Sequence, residues 1–313
     1  MTDPVPAPAD DATPVEDAPA PDPAPPPGGA TPDAPDRADG APDGDAADAG
    51  GTAAADPARP LAPGEMVLLV DGKGRRYLVT LQEGAEFHSH AGYVAHDDLL
   101  GRDAGREVRS TRNARYVVLR PTLSDYVLKM PRGAQVIYPK DIGPLLMLAD
   151  VHPGVRILES GVGSGALSMA LLRCGADIVG YELREDFAAR ARRNVGSFLG
   201  EEVLDRYRVE VRDCYEGIDA PDIDRVVLDL PEPWRVVEPA AAALQPGGLL
   251  VAYTPQITQA VRLREALEAG PFTMAETLEV MQRGWHIEGQ AVRPNHRMVG
   301  HTGFLTCARL LGA

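Results

Sequence analysis

The stretch "VRILESGVGSGALSMALLRCGADIVGYE", residues 155–182, decides the fold. A short apolar run closes on the acid Glu159, and the alternating glycines Gly161, Gly163 and Gly165 follow. Helix-spaced apolar residues then begin at Ala166, and a second apolar run closes on Glu182. Strand, tight turn, helix and strand in that order form a parallel unit, because strands joined through a helix must run the same way. Working outward, "YRVEVRD", "RVVLDLP" and "GGLLVAYTP" read as further strands, with helices starting near Glu185, Val236 and Gln256. In the helix from Glu185, residues Phe187, Ala188, Ala191, Val195, Phe198 and Leu199 share one face. The fold class is therefore α/β: a parallel sheet covered on both sides over 151–313. It should end in two strands, "FTMAETLEVMQ" and "GFLTCARLL", joined by "RGWHIEGQAVRPNHRMVGHT".

Upstream, the text changes. "EMVLLVDGKGRRYLVTL" reads as a hairpin around Asp71-Gly72-Lys73-Gly74, and "AGYVA" and "ARYVVLRP" add short strands. A small all-β domain is expected over 63–120, and a linker with helices near 122–130 and 141–150 fills 121–150. Before Leu61 there is no Leu, Ile, Phe, Trp or Tyr, only an acidic text rich in Ala, Pro and Asp. Such a segment cannot offset its ordering entropy by burial, so a disordered tail is expected over 1–62. It lacks the basic start and apolar core of a secretory signal. No run has the length of a membrane span. Cys174, Cys214 and Cys307 form neither a disulfide framework nor a CxxC pair. A cytoplasmic chain without a membrane partner is the expectation.

The net charge of −15 argues against a polyanion partner only until it is located. Residues 1–60 hold 13 acids against two arginines, whereas 101–132 hold eight bases against three acids. That basic stretch, with Arg106 and Arg109 in it, suits nucleic acid as well as it suits a solvated loop.

Open α/β sheets bind ligands at the carboxyl ends of their strands, where the glycine turn lies. With Ala166 the turn fits the dinucleotide fingerprint, so a nicotinamide cofactor stays open on this motif alone. The acids narrow the choice. Glu182 suits a ribose, Asp213 after the third strand suits an adenine amino group, and Glu159 faces the cationic end of an amino-acid tail. S-adenosylmethionine carries all three and no pyrophosphate. The fourth strand ends in "LDLPEPW", residues 228–234, where Asp229, two prolines and Trp234 make a rigid rim for a flat base. This tip has neither a cysteine for a covalent pyrimidine adduct nor an [N/D]-P-P-[Y/F] tetrad, which leaves a ring nitrogen as the better target. The histidines lack cysteine or carboxylate partners at metal-ligand offsets, so no metal is expected.

The chain resembles the TrmI-type tRNA (adenine-N1)-methyltransferases, which modify position 58 in the T loop. "FHSHAGYVAHDDLLG", "RPTLSDYVLKMPRGAQVIYPKDIG", "LESGVGSGALS", "LDLPEPW" and "RPNHRMVGHTGFLTCARLL" carry the likeness, from Gly64 to Leu311. It implies a small β-domain, a Rossmann-like class I methyltransferase domain, a homotetramer and tRNA as partner. It places S-adenosyl-L-methionine against Ser164 to Leu167, Glu182, Phe187, Asp213, Cys214, Gln135 and Ile137, with Asp229 as the catalytic acid. Tyr138 and Trp234 are candidates for shaping the base pocket. Two features depart from the family: the short connection "RCGADIVG" and the acidic tail. A catalytically silent tRNA-binding subunit is the non-enzyme rival, and it would be expected to lose the glycine turn or Asp229.

Overall fold

The computed structural model describes residues 59–133 and 135–312; the disorder expected for the tail falls, up to residue 58, outside the described residues. The first module is a four-stranded antiparallel sheet. Strands β1 (Met66–Asp71), β2 (Arg76–Thr80), β5 (Arg106–Arg109) and β6 (Arg115–Leu119) lie in the order β2-β1-β6-β5. A ribbon of β3 (Glu86–Ser89) and β4 (Gly92–Ala95) stands beside it. The β1–β2 turn is closed by Asp71, whose Oδ1 accepts the amides of Lys73 and Arg75 at 2.9 Å. Leu61, Val67, Leu69, Leu81, Val94, Leu99, Tyr116 and Val118 fill its core. Strands β3 and β5 were not foreseen: "EFHS" and "REVR" are short and polar, and only their main-chain pairing makes them strands.

Helix α1 (Leu123–Lys129) starts at a capping box of Thr122 and Asp125. Helix α2 (Pro139–Leu148) starts with proline at its first position. Both contribute to the apolar core on one side of the larger sheet, through Tyr126, Val127, Ile142 and Leu145.

That sheet has seven strands in the order β12-β15-β11-β10-β7-β8-β9. Strands β7 (Arg156–Ser160), β8 (Asp177–Glu182), β9 (Tyr207–Val211), β10 (Ile223–Leu228) and β11 (Leu244–Thr254) are parallel. The last strand, β15 (Phe304–Leu310), runs antiparallel between β11 and β12 (Phe272–Glu279). Helices α3 (Ala166–Arg173), α4 (Glu185–Leu199), α5 (Val237–Ala243) and α6 (Ile257–Ala269) are the crossovers. Alternate strand residues divide between two apolar layers. Ile157, Ile178, Val227 and Val251 face α1 to α4, and Leu158, Val226, Leu250 and Ala252 face α5 and α6. Between β12 and β15 the chain makes a two-stranded ribbon, β13 (Trp285–Glu288) and β14 (Ala291–Pro294), where the sequence showed only a connection. Strand order reverses between β7 and β10, so the crevice at their tips is the expected ligand site.

Candidate active site

The glycine turn joins β7 to α3 with Gly161, Gly163 and Gly165 all left-handed, at φ 85°, 57° and 83°. Gly161 is required by contact as well as by φ, because a Cβ there would land on the Asp229 carbonyl oxygen. Beside Gly163 the space is open, with only the Gly161 oxygen within 3.9 Å of such a carbon. Main-chain bonds lace the tips together: Asp229 N–H donates to Ser160 O at 2.9 Å and Gly161 N–H to Tyr181 O at 3.1 Å.

Glu159, Glu182 and Asp229 project from the same side of three strand tips. Glu159 lies opposite Val227 on β10 and Gly180 on β8, two residues before each of the other acids. Each acid has a distinct setting. Glu182 is half-buried and accepts Gly163 N–H at 2.9 Å through Oε2 and Arg184 N–H at 3.0 Å through Oε1. Glu159 is 1% exposed, and its Oε2 is buried without a hydrogen-bond partner. Burial pushes its carboxyl up to about 8, the Ser168 hydroxyl opposes this, and the charges of Asp229 and Glu182 add to it. Asp229 is half-buried: some of its surface reaches solvent, yet loss of hydration and then the Glu182 charge push its carboxyl up to about 7. No cation is among the influences on Glu159 or Asp229. The buried Ser164 hydroxyl is likewise without a partner.

These features answer the question left by the glycine motif. A pyrophosphate needs free amides at the turn and no anions beside them. Here the Gly163 amide is occupied by a carboxylate, with two more carboxylates close by. A cationic ligand with hydroxyl and amino donors fits the orphaned Glu159 oxygen and the open Gly163 face.

Comparison with known proteins agrees. Residues 115–292 match the family model described as the tRNA methyltransferase complex GCD14 subunit, and 60–108 match the TrmI-like N-terminal model. The tRNA (adenine(58)-N(1))-methyltransferase TrmI of Thermus thermophilus is 42% identical over 250 residues, covering 79% of this chain and 97% of the relative. The chain belongs to the TrmI family. Its backbone is similar to a SAM-dependent O-methyltransferase from Thermotoga maritima, with a TM-score of 0.77 and 31% identity over 82% of this chain and 96% of the other. It is also similar to the tRNA (m1A58) methyltransferase TrmI of Aquifex aeolicus, with a TM-score of 0.69 and 25% identity over 81% of this chain and all of the other. The class I methyltransferase fold is thereby established.

Around this TrmI-family turn, the other expected residues take varied places. Ala166 and Leu167 open α3 and are buried. Asp213 caps the turn after β9, accepting Tyr215 N–H at 2.9 Å, and Cys214 beside it is buried. Phe187 is buried with the Arg184 guanidinium 3.9 Å over its ring. Gln135 is exposed and Ile137 buried, on the segment leading into α2. Tyr138 is the half-buried N-cap residue of α2. Trp234 is the second residue of the 3-10 turn Pro233–Val236, half-buried, with the Arg262 guanidinium 5.2 Å over its ring. Arg106 and Arg109 are exposed on β5, away from the strand tips; Arg106 pairs with Asp103 at 3.0 Å and Arg109 bonds Asn113 Oδ1 at 3.1 Å. Of the basic stretch, Arg120 is half-buried and holds the buried Glu65 at 2.7 Å.

The sequence reading missed a polar group behind Asp229. Tyr253 Oη donates to Thr302 O at 2.6 Å, and Thr302 Oγ1 donates to the fully buried Asp141 at 2.6 Å. Lys140 pairs with Asp141 at 2.8 Å. Burial first, then the Asp141 charge, push the Tyr253 phenol up to about 12. Asn194 was missed too; its amide ties Ser164 O at 2.9 Å to Pro131 O at 3.0 Å, joining the glycine turn to the segment before α2. Lys140, Asp141 and Thr302 lie within strings that carry the family likeness, but nothing in those strings shows that Asp141 meets Thr302, because the two come from remote elements. Among the described residues no three His, Cys, Asp or Glu side chains gather to hold a metal, and no helix is long and apolar enough to cross a membrane.

Proposed function

We propose that this chain transfers a methyl group from S-adenosyl-L-methionine to N1 of adenine at position 58 in the T loop of tRNA. One observation carries the reading: Glu159 and Asp229 stand uncompensated at neighbouring strand tips, on either side of the topological switch point. When bound, the cofactor supplies an activated methyl on a sulfonium centre. In this reading Glu159 receives the ammonium, Glu182 the ribose hydroxyls and Asp213 the adenine amino group. The Gly161–Leu167 backbone, Gln135, Ile137, Phe187 and Cys214 complete the wall.

Asp229 is the residue that meets the target base. Adenine N1 has an in-plane lone pair and no proton, so no general base has to act before attack. The base becomes cationic as the methyl arrives. A fixed carboxylate accepting from the exocyclic amino group stabilises that charge and selects adenine by its donor edge. A nearby sulfonium favours the ionised form of Asp229 that this role requires. Tyr138 and Trp234 shape the base pocket, and Arg106 and Arg109 hold tRNA phosphates. The silent-subunit alternative is disfavoured because the glycine turn and Asp229 are both present.

The rest of the reading concerns organisation. The chain divides into a β-domain over 63–120, a linker over 121–150 and a methyltransferase domain over 151–313, and it works in the cytoplasm as a homotetramer. Support for assembly comes from the β13–β14 ribbon, which leaves Trp285 56% and Ile287 72% exposed. Mass spectrometry of nucleosides from tRNA incubated with protein and cofactor tests the activity, and 1-methyladenosine at position 58 is the expected product. Unmodified tRNA from a sample that binds S-adenosylmethionine by calorimetry would refute it.

A further inference from the structure

We infer that Ser168 and Tyr207 are positioning residues that hold the Glu159 carboxylate, through a buried chain of hydrogen bonds, as the receptor for the cationic amino-acid end of the methyl donor. The inference rests on the methyl-donor reading above and adds two side chains that none of the motifs assigns. The chain begins on β9, where Tyr207 Oη donates to Ser168 Oγ at 2.9 Å. Ser168 is the third residue of α3, and its hydroxyl and main-chain N–H face Glu159 on β7 and favour its ionised form. An amide in the first turn of a helix has no acceptor within that helix, which leaves the Ser168 N–H for this carboxylate. Tyr207, Ser168 and Glu159 are all buried. The chain ends at Glu159 Oε2, which has no partner.

A chain serving only to pack the interior would not end this way. A buried carboxyl with an unsatisfied oxygen costs stability that an apolar residue would not. The groups around it decide its charge. Asp229 on β10 and Glu182 on β8 disfavour the ionised form, and the donors of Ser168 favour it. Tyr207 remains a neutral donor, since burial and then the Glu159 charge raise its phenol well above the ordinary value. Arg192 on α4 donates to the Tyr207 carbonyl at 3.0 Å and so fixes the strand that carries the phenol.

Binding a cation at Oε2 requires the carboxylate. Where the free acid is protonated, binding releases that proton, so affinity rises with pH by up to about tenfold per unit until the acid is ionised unaided. Ser168 sets where that plateau begins. The test is calorimetric titration of the full chain with S-adenosylmethionine from pH 6 to pH 9, in two buffers of different ionisation enthalpy. Ser168→Ala and Tyr207→Phe are compared with the parent, and thermal unfolding is recorded for each. The parent is expected to release more than one proton at pH 7, most of one from Glu159 and about half of one from Asp229, and Asp229→Asn should remove only the smaller part. Ser168→Ala should move the plateau up by about half to one pH unit, weakening binding more at pH 7 than at pH 9. Tyr207→Phe, which removes one oxygen from the interior, should shift it less in the same direction and carries the test if Ser168→Ala fails to fold. Folded variants weakened by the same factor at every pH would overturn the inference, as would binding without proton release. A parent that binds no S-adenosylmethionine at any pH would instead overturn the methyl-donor reading.

Discussion

Replacing Asp229 by Asn should make the protein more stable and the enzyme slower. The Asp229 carboxyl is pushed from 3.8 up to about 7 by burial and then by Glu182. That difference of about three units corresponds to about 4 kcal/mol against the ionised form, an upper value because the residue is only half-buried. The sign follows from the direction of the shift. The folded state holds the proton more tightly than the unfolded state, so stability from this group is full below about pH 4. It is lost as pH rises to about 7. Asn at 229 carries no such penalty. Its stability advantage should therefore be small near pH 4, grow through pH 5 and 6, and level above pH 7 at about 1–3 kcal/mol. Each 1 kcal/mol is worth about 2–4 °C in Tm for a domain of this size. Catalysis should move the other way: loss of a preorganised partner typically costs about 3–4 kcal/mol, or about 10²–10³ in turnover. Asp229→Ala should be slowed by that factor, and Asp229→Asn, which can still present an oxygen, should fall between Ala and the parent. Thermal unfolding from pH 4 to pH 8 and single-turnover methylation at saturating cofactor measure the two effects. An Asn variant no more stable than the parent at pH 8, or an Ala variant with a near-parental rate, would refute the reasoning.

The two glycines of the turn should respond differently. Gly161→Ala forces a carbon onto the Asp229 carbonyl and should lower both Tm and turnover. At Gly163 a Cβ meets open space, so Gly163→Val should fold, strained by about 1–3 kcal/mol or somewhat more by its left-handed φ, and lose S-adenosylmethionine binding by calorimetry; unchanged affinity would detach that turn from the cofactor. Replacing Arg106 and Arg109 together by Ala should weaken tRNA binding and flatten its dependence on salt, because fewer counterions are released. A slope equal to the parent's would return β5 to an ordinary solvated edge. A chain beginning at Arg59 keeps the Arg59–Glu65 ion pair at 2.9 Å and Leu61 in the β-module core. It should methylate tRNA at a rate comparable to the full chain, and failure to fold would show that residues 1–58 are required.

The sequence by itself determined the order of strands and helices from Val155 onward, apart from the β13–β14 ribbon, and it determined the glycine turn and the acids at the strand tips. Those features are local: a 3.6-residue or two-residue period, a left-handed glycine and an acid closing an apolar run are each written within a few neighbouring residues. Polar strands β3 and β5 carry no such period and were invisible until their partners were in place. Only the tertiary structure decided that the half-buried Arg120 is tied to the buried Glu65, which lies 55 residues away in the chain. It alone brought Tyr207 to Ser168 across 39 residues and left Glu159 Oε2 without a partner. Residue types can name a carboxylate as a candidate. The charge it carries depends on how much water it has lost and which charges stand beside it, and the packing of separate strands sets both.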